Sequence, residues 1–148
     1  MAIKIFVVIR ALIGCLFVVS GFEKLIGPYQ NFLYVVQSYE FLPVVLEEIV
    51  ARILPWGELF LGVFLVFGLW LKWTLRSTLI LFLMFVLIVG QALLRKLPID
   101  ECGCFGGLIS LPLVTVLIFD GTLLLLTGLL LKYKKRTDLL SLDRYFRG

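Results

Sequence analysis

Two cysteines separated by one glycine, Cys102-Gly103-Cys104, form the motif in this sequence whose residue types point to covalent chemistry. Such a pair can just meet the Cα separation of roughly 4.4–6.8 Å that a disulfide requires, and glycine adopts backbone angles that other residues avoid. The small ring would be strained, and strained, exposed disulfides exchange readily with thiols. Because the ring closes almost no chain, it stabilises the fold little. The motif therefore favours thiol–disulfide exchange over a structural bond.

Three other roles for the pair are open: ligation of a metal, a bond to a partner protein, or no reactivity. The chain has three cysteines and no histidine, so a metal bound here would lack the usual further ligands, and we expect no metal site. The sequence leaves open which sulfur a partner would attack. Cys15 lies in the middle of an apolar run, and we expect it to be a packed core residue.

The composition indicates the environment in which this motif works. Of the 148 residues, 61% are hydrophobic and 16% charged, against roughly 45–50% and 25% in a soluble domain. The mean hydropathy is +1.10. A soluble fold of this length cannot bury so much apolar surface. A soluble enzyme, a nucleic-acid-binding protein and a disordered chain are therefore excluded, and the sequence predicts a single integral membrane domain over residues 1–148.

Four apolar segments reach the roughly 20 residues that a membrane span needs: 3–22, 51–71, 73–94 and 108–131. Each must be helical to satisfy its own backbone in lipid. The predicted fold class is thus an all-α integral membrane protein, a bundle of four transmembrane helices. The first segment resembles a signal peptide, but Arg10 interrupts it and three more spans follow, so we expect it to be retained.

The connections between the predicted spans are uneven in length. The second is only a residue or two around Lys72, whereas the first is long. Aromatic and apolar residues near helical spacing in the first connection predict a short helix that begins at Pro28 and lies on the outer membrane surface. The last segment, 132–148, is basic, and we expect it to be a cytoplasmic tail.

Lysine and arginine counts predict the orientation of the bundle. Ten of the 14 basic residues fall at the N-terminal end, the second connection and the tail; the others are Lys24, Arg52, Arg95 and Lys96. This excess predicts that both termini are cytoplasmic in a bacterial inner membrane. The cysteine loop then faces outward, where disulfides persist.

Several polar residues lie within or at the ends of the spans, where they are costly and usually face the bundle interior. Counting depth from the span ends puts Arg10 and Asp120 close enough to pair between the first and fourth helices. Glu58 and Gln91 lie near the outer ends of the second and third helices. We expect these four residues either to support the site or only to fix helix register.

One face of the first helix carries both polar and small residues: Arg10, Gly14, Phe17, Gly21 and Lys24. Glycines on such a face let a neighbouring helix approach closely. This face is therefore predicted to allow a neighbouring helix to approach the first helix closely.

The ordered motifs of the chain resemble those of MauE/DoxX-type membrane proteins, and MauE more than DoxX. They are Arg10 and Gly14; Ser20-Gly21-Phe22-Glu23-Lys24-Leu25 with Pro28; Tyr39-Glu40-Phe41-Leu42-Pro43; Leu54-Pro55-Trp56-Gly57-Glu58-Leu59 with Gly62; Cys102-Gly103-Cys104-Phe105-Gly106; and Asp120. The resemblance implies a four-helix bundle in the inner membrane. It also implies disulfide formation or transport during maturation of the methylamine dehydrogenase small subunit, a step of methylamine metabolism.

The bundle is also similar to quinone-coupled disulfide-forming membrane proteins, although it has one external cysteine pair rather than two. The resulting hypothesis is a membrane thiol–disulfide redox protein whose Cys102–Cys104 pair exchanges with a thioredoxin-like periplasmic protein. A quinone near Glu58 and Gln91 would take the electrons. The alternative is a non-enzymatic assembly or maturation factor that docks a client protein. Full function of the Cys102→Ser/Cys104→Ser variant in cells would favour this alternative. Transport is a third hypothesis, based only on the buried charges.

Overall fold

A computed structural model describes residues 2–99, 112–133 and 142–147. Within these ranges the chain is helical and contains no strand. The helices are α1 (Ala2–Ile26), α2 (Tyr29–Ser38), α3 (Val44–Phe67), α4 (Leu71–Leu94), α5 (Leu113–Lys132) and α6 (Leu142–Arg147). The predicted all-α fold class is confirmed.

Helices α1, α3, α4 and α5 are long and apolar enough to cross a membrane. They contain 20 to 25 residues each, which corresponds to about 30–37 Å at 1.5 Å per residue and matches the hydrocarbon thickness of a bilayer. The prediction of four spans is confirmed, and a multi-pass membrane protein in a lipid bilayer follows from it.

The second spanning helix differs in position from its prediction over 51–71. It begins at Val44, directly after Pro43, and ends at Phe67. The predicted start was too late because charged residues such as Glu47 and Glu48 interrupt the apolar pattern without interrupting the helix. The predicted connection around Lys72 is wrong: Gly68, with a φ of 69°, ends the helix in the left-handed conformation, and Lys72 lies in α4.

Helix α2 confirms the short helix predicted in the first connection. Pro28 is its N-cap residue, Phe32 is buried against the bundle, and Tyr34 is 73% exposed. The helix packs against α3 and contacts α1. We call the end of the bundle that carries this helix the α2 end. The position of α2 on the outer membrane surface stays a prediction.

The spanning helices form two close pairs, α1 with α3 and α4 with α5, and contacts between the pairs are fewer. Within the first pair the backbones nearly touch: a Cβ on Gly62 would lie 2.6 Å from Val18 N and 2.7 Å from Gly14 O. A Cβ on Gly21 would lie 2.8 Å from Pro55 O. These contacts confirm that a neighbouring helix, α3, approaches closely at the glycines of α1.

Candidate functional site

A buried ion pair joins α1 to α3 near the α2 end of the bundle. Lys24 Nζ lies 2.9 Å from Glu58 Oε2, and both side chains are only 2% exposed. Ser20 Oγ donates a hydrogen bond of 3.1 Å to the same carboxylate oxygen, and Lys24 Nζ also donates a hydrogen bond to Ser20 Oγ. The carboxylate is thus held by two groups one helical turn apart on α1. Such hydrogen bonding is what makes a buried ion pair tolerable.

The ammonium group of Lys24 also meets an aromatic face. Its Nζ lies 5.4 Å from the centroid of the Phe32 ring on α2, within the range of a cation–π interaction. Lys24 therefore connects three helices, α1, α2 and α3, around one buried charge.

Asp120 on α5 faces this ion pair from the other helix pair. It is 5% exposed, and the charged groups that act on it are Glu58 and Lys24. Its Oδ2 has no hydrogen-bond partner among the described residues. A cavity of about 40 Å³ lies beside it, lined also by Phe17, Ser20 and Glu58.

The predicted Arg10–Asp120 pair is therefore wrong. Asp120 lies level with Phe17 and Ser20, seven and ten residues beyond Arg10, which places it about 10–15 Å further along α1 at 1.5 Å per residue. Arg10 is itself buried, at 2% exposure. Depth counted from predicted span ends could not fix the relative heights of two helices, because those heights depend on how the helices pack.

A larger cavity of about 80 Å³, which we call the α2 cavity, lies beneath α2. Its walls are almost entirely apolar, and they include Phe32, Tyr39, Val50, Leu54, Phe85 and Val89. The ion pair of Lys24 and Glu58 forms part of its wall. Glu58 and Phe85 line both cavities and so stand between them. An apolar pocket with a few convergent polar groups is the usual form of a small-molecule site.

Gln91 has a different role from Glu58. Its Nε2 donates a hydrogen bond of 2.9 Å to Tyr39 O and so ties the end of α2 to α4. Arg95 extends this connection through an exposed contact with Glu40 at 3.4 Å. Among the described residues that line the α2 cavity, Glu58 is present and Gln91 is not. The structure does not bring these two predicted residues together.

Gln91→Leu is expected to loosen the end of α2. The change removes the hydrogen bond from Gln91 Nε2 to Tyr39 O, and loss of one partner of a buried hydrogen bond costs about 1–3 kcal/mol. Hydrogen exchange measured by mass spectrometry should then be faster in peptides covering α2. Gln37→Leu is the matched control, since Gln37 is exposed. Equal exchange rates in the two variants would contradict the role of Gln91.

Cys102, Gly103 and Cys104 lie outside the described residues. The chain on either side of them is described, and both sides pack in one apolar cluster with Tyr39: Leu97 and Ile99 before the motif, and Leu113 after it. The chain therefore leaves and rejoins the described bundle at the α2 end.

Cys15 corrects one prediction. It is exposed on the surface of α1, so its interpretation as a core residue is wrong. The buried face of α1 follows Arg10, Gly14 and Phe17, and Cys15 falls to one side of it. In a spanning helix a small apolar side chain is equally compatible with lipid and with a protein core.

Sequence reasoning placed Lys24 on the correct face of α1 but did not recognise it as the partner of Glu58. A usable signal was present: Ser20 and Lys24 are four residues apart and flank Gly21. Residues at this spacing share one helix face, and the glycine between them marks close approach by a neighbour.

Four spanning helices, a helix across one end and a buried polar cluster define the protein as a multi-pass α-helical membrane protein. The model of the family described as methylamine utilisation protein MauE matches residues 3–133. The chain belongs to this family, and the membership suggests a role in methylamine utilisation. No curated protein and no solved structure matches the chain.

Proposed function

We propose that this protein is a membrane thiol–disulfide redox protein that exchanges a Cys102–Cys104 disulfide with a dithiol partner outside the cytoplasm. One observation carries the proposal: both chain segments that flank the motif pack against the apolar cluster that contains Tyr39, at the α2 end. The described chain thus ends before the motif and resumes after it at the α2 end, which supports a place for the exchange at that end of the bundle. Membership in the MauE family supports a place in methylamine utilisation.

The exchange balances without any further reactant. A thiolate of the partner attacks one sulfur of the pair, the Cys102–Cys104 bond breaks, and a mixed disulfide forms. The second thiolate of the partner then attacks the partner's own sulfur in that mixed disulfide. The partner leaves with a disulfide, and this chain keeps two electrons and two protons as a dithiol. A thioredoxin-like periplasmic protein or a client under maturation has the required chemistry.

The proposed location is the bacterial inner membrane, with both termini in the cytoplasm and the α2 end outside. The support is the distribution of basic residues, which are more numerous toward the end opposite α2. This orientation exposes the cysteine motif to an oxidising compartment, as disulfide exchange requires.

A lipid-soluble quinone is the proposed acceptor for the electrons that the dithiol holds. The lining of the α2 cavity suits the ring of such a group, because its walls are apolar and aromatic and include a cation, Lys24. Lys24 would donate a hydrogen bond to a carbonyl oxygen, and Phe32 and Phe85 would flank the ring. The quinone would supply two-electron oxidation of a dithiol.

A trapping experiment tests the exchange. On a Cys15→Ser background, the oxidised protein is mixed with a thioredoxin that retains one active-site cysteine. We expect a mixed disulfide on a non-reducing gel, and none with Cys102→Ser/Cys104→Ser. A redox titration against glutathione measures the potential of the pair. The proposal is wrong if no adduct forms, or if the potential lies below about −300 mV, as for structural disulfides.

A further inference from the structure

A buried carboxylate faces the Lys24–Glu58 pair across a cavity, and one of its two oxygens has no hydrogen-bond partner among the described residues. Asp120 is 5% exposed, its Oδ2 makes no hydrogen bond to a described residue, and it lines the 40 Å³ cavity together with Ser20 and Glu58. Leaving a buried acceptor unsatisfied is costly, and such groups usually meet ordered water. A hydrogen-bond partner of Asp120 Oδ2 is therefore expected in this cavity.

The size and lining of this cavity suit water. A cavity of 40 Å³ exceeds the roughly 10–15 Å³ that one water molecule needs, and a buried water needs two to four polar partners. Ser20, Glu58 and Asp120 supply such partners. The remaining wall is apolar, formed mainly by phenylalanine rings: Phe17, Phe82, Phe85 and Phe119.

The charges in the cluster do not balance when all three groups are ionised. Lys24 contributes one positive charge and the two carboxylates contribute two negative charges. The charged groups acting on Asp120 are Lys24 from α1 and Glu58 from α3, while α4 lines the cavity with Phe82 and Phe85. A net charge inside a membrane bundle is strongly unfavourable. One additional proton makes the cluster neutral.

We propose that Asp120 and Glu58 share one proton through water in this cavity, which makes it a hydrated proton-binding site at the junction of the two helix pairs. The proton lies on one carboxyl while Lys24 balances the other, and it moves between them through the water. Because Glu58 also lines the α2 cavity, the site can exchange a proton with a molecule bound there. The inference is independent of the cysteine motif.

Infrared spectroscopy of the whole protein in lipid nanodiscs tests the proposal. The measured quantity is the C=O stretch of protonated carboxyl groups, in H₂O and in D₂O. Asp120→Asn should reduce the area of this band by the contribution of one protonated carboxyl group, which we call the cluster's share. Glu58→Gln should remove the same share, because Asp120 must then ionise to balance Lys24. Lys24→Met should increase the cluster's share about twofold, since both carboxyls then need protons to stay neutral.

Glu40→Gln is the matched control, because Glu40 is an exposed carboxylate with a cation partner; its band should equal that of the wild type. The share assigned to the cluster should also shift in D₂O, since water reaches it. The proposal is overturned if either Asp120→Asn or Glu58→Gln leaves the band unchanged, if Lys24→Met does not enlarge it, or if the cluster's share does not shift. The wild type alone, for which no variant has to fold, should show a protonated-carboxyl band that shifts in D₂O, and the absence of such a band would also overturn the proposal.

Discussion

Glu58→Leu is expected to lower the free energy of unfolding by about 3 kcal/mol, because it leaves the buried Lys24 ammonium without its hydrogen-bonded carboxylate. Lys24 Nζ and Glu58 Oε2 are 2.9 Å apart at 2% exposure, so the ammonium is shielded from bulk water. Asp120, which also faces Lys24, offsets part of the loss and keeps the cost at the lower end of the usual range. The measurement is reversible unfolding in mixed detergent micelles, followed by tryptophan fluorescence.

The double variant Lys24→Met/Glu58→Leu distinguishes the energetic cost of an unpaired buried charge from the cost of lost packing. Replacing a whole buried ion pair by apolar residues is often nearly neutral, so the double variant should be more stable than Glu58→Leu alone. A double variant less stable than the single one would show that the charge pair itself holds α1 to α3 and would contradict this reasoning.

Glu40→Leu provides a matched control for the loss of a carboxylate. The Arg95–Glu40 contact is 3.4 Å long, with side chains 49% and 63% exposed. Exposed ion pairs contribute about 0–1 kcal/mol, so this variant should unfold close to the wild type. If the two leucine variants lost equal stability, the burial of the Lys24–Glu58 pair would have no energetic consequence.

The spans were predictable because lipid imposes one strong requirement: about 20 apolar residues in a helix that satisfies its own backbone. The ends of the spans were less predictable, because a helix continues past the apolar region when its charges can reach water or a partner. α3 starts at Val44 and includes Glu47 and Glu48. α1 likewise continues to Ile26, so that Lys24 belongs to the helix and not to a connection.

The site was predictable in its residue types but not in its pairing. Glu58 and Asp120 were identified because ionisable groups inside a bundle are costly. Their partners depend on the relative height of helices, which single-helix periodicity does not contain. Arg10 and Asp120 have opposite charges in different spans but do not pair. The packing of α1 against α3 instead pairs Lys24 with Glu58, and Asp120 faces that ion pair.

Gly62→Ala is expected to destabilise the bundle by roughly 1–3 kcal/mol, the usual cost of overpacking. The new Cβ would lie 2.6 Å from Val18 N and 2.7 Å from Gly14 O. Both are backbone atoms of α1, so they cannot move aside as the tip of a side chain would. α1 and α3 must separate instead, which also weakens the contact between Lys24 and Glu58. Detergent unfolding measures the loss, and the carboxyl infrared band reports the change at the ion pair.

Gly57→Ala is the matched control, because it makes the same change on the same helix and, apart from the adjacent residues and nearby backbone of α3 itself, no atom lies within 4 Å of the added Cβ. Alanine favours a helix over glycine by up to about 1 kcal/mol, so Gly57→Ala should be neutral or stabilising. Opposite signs for the two variants would assign the cost to the α1–α3 contact and not to helix propensity. If Gly62→Ala stabilised the bundle as Gly57→Ala does, the close backbone approach at Gly14 and Gly62 would not be what holds these helices together.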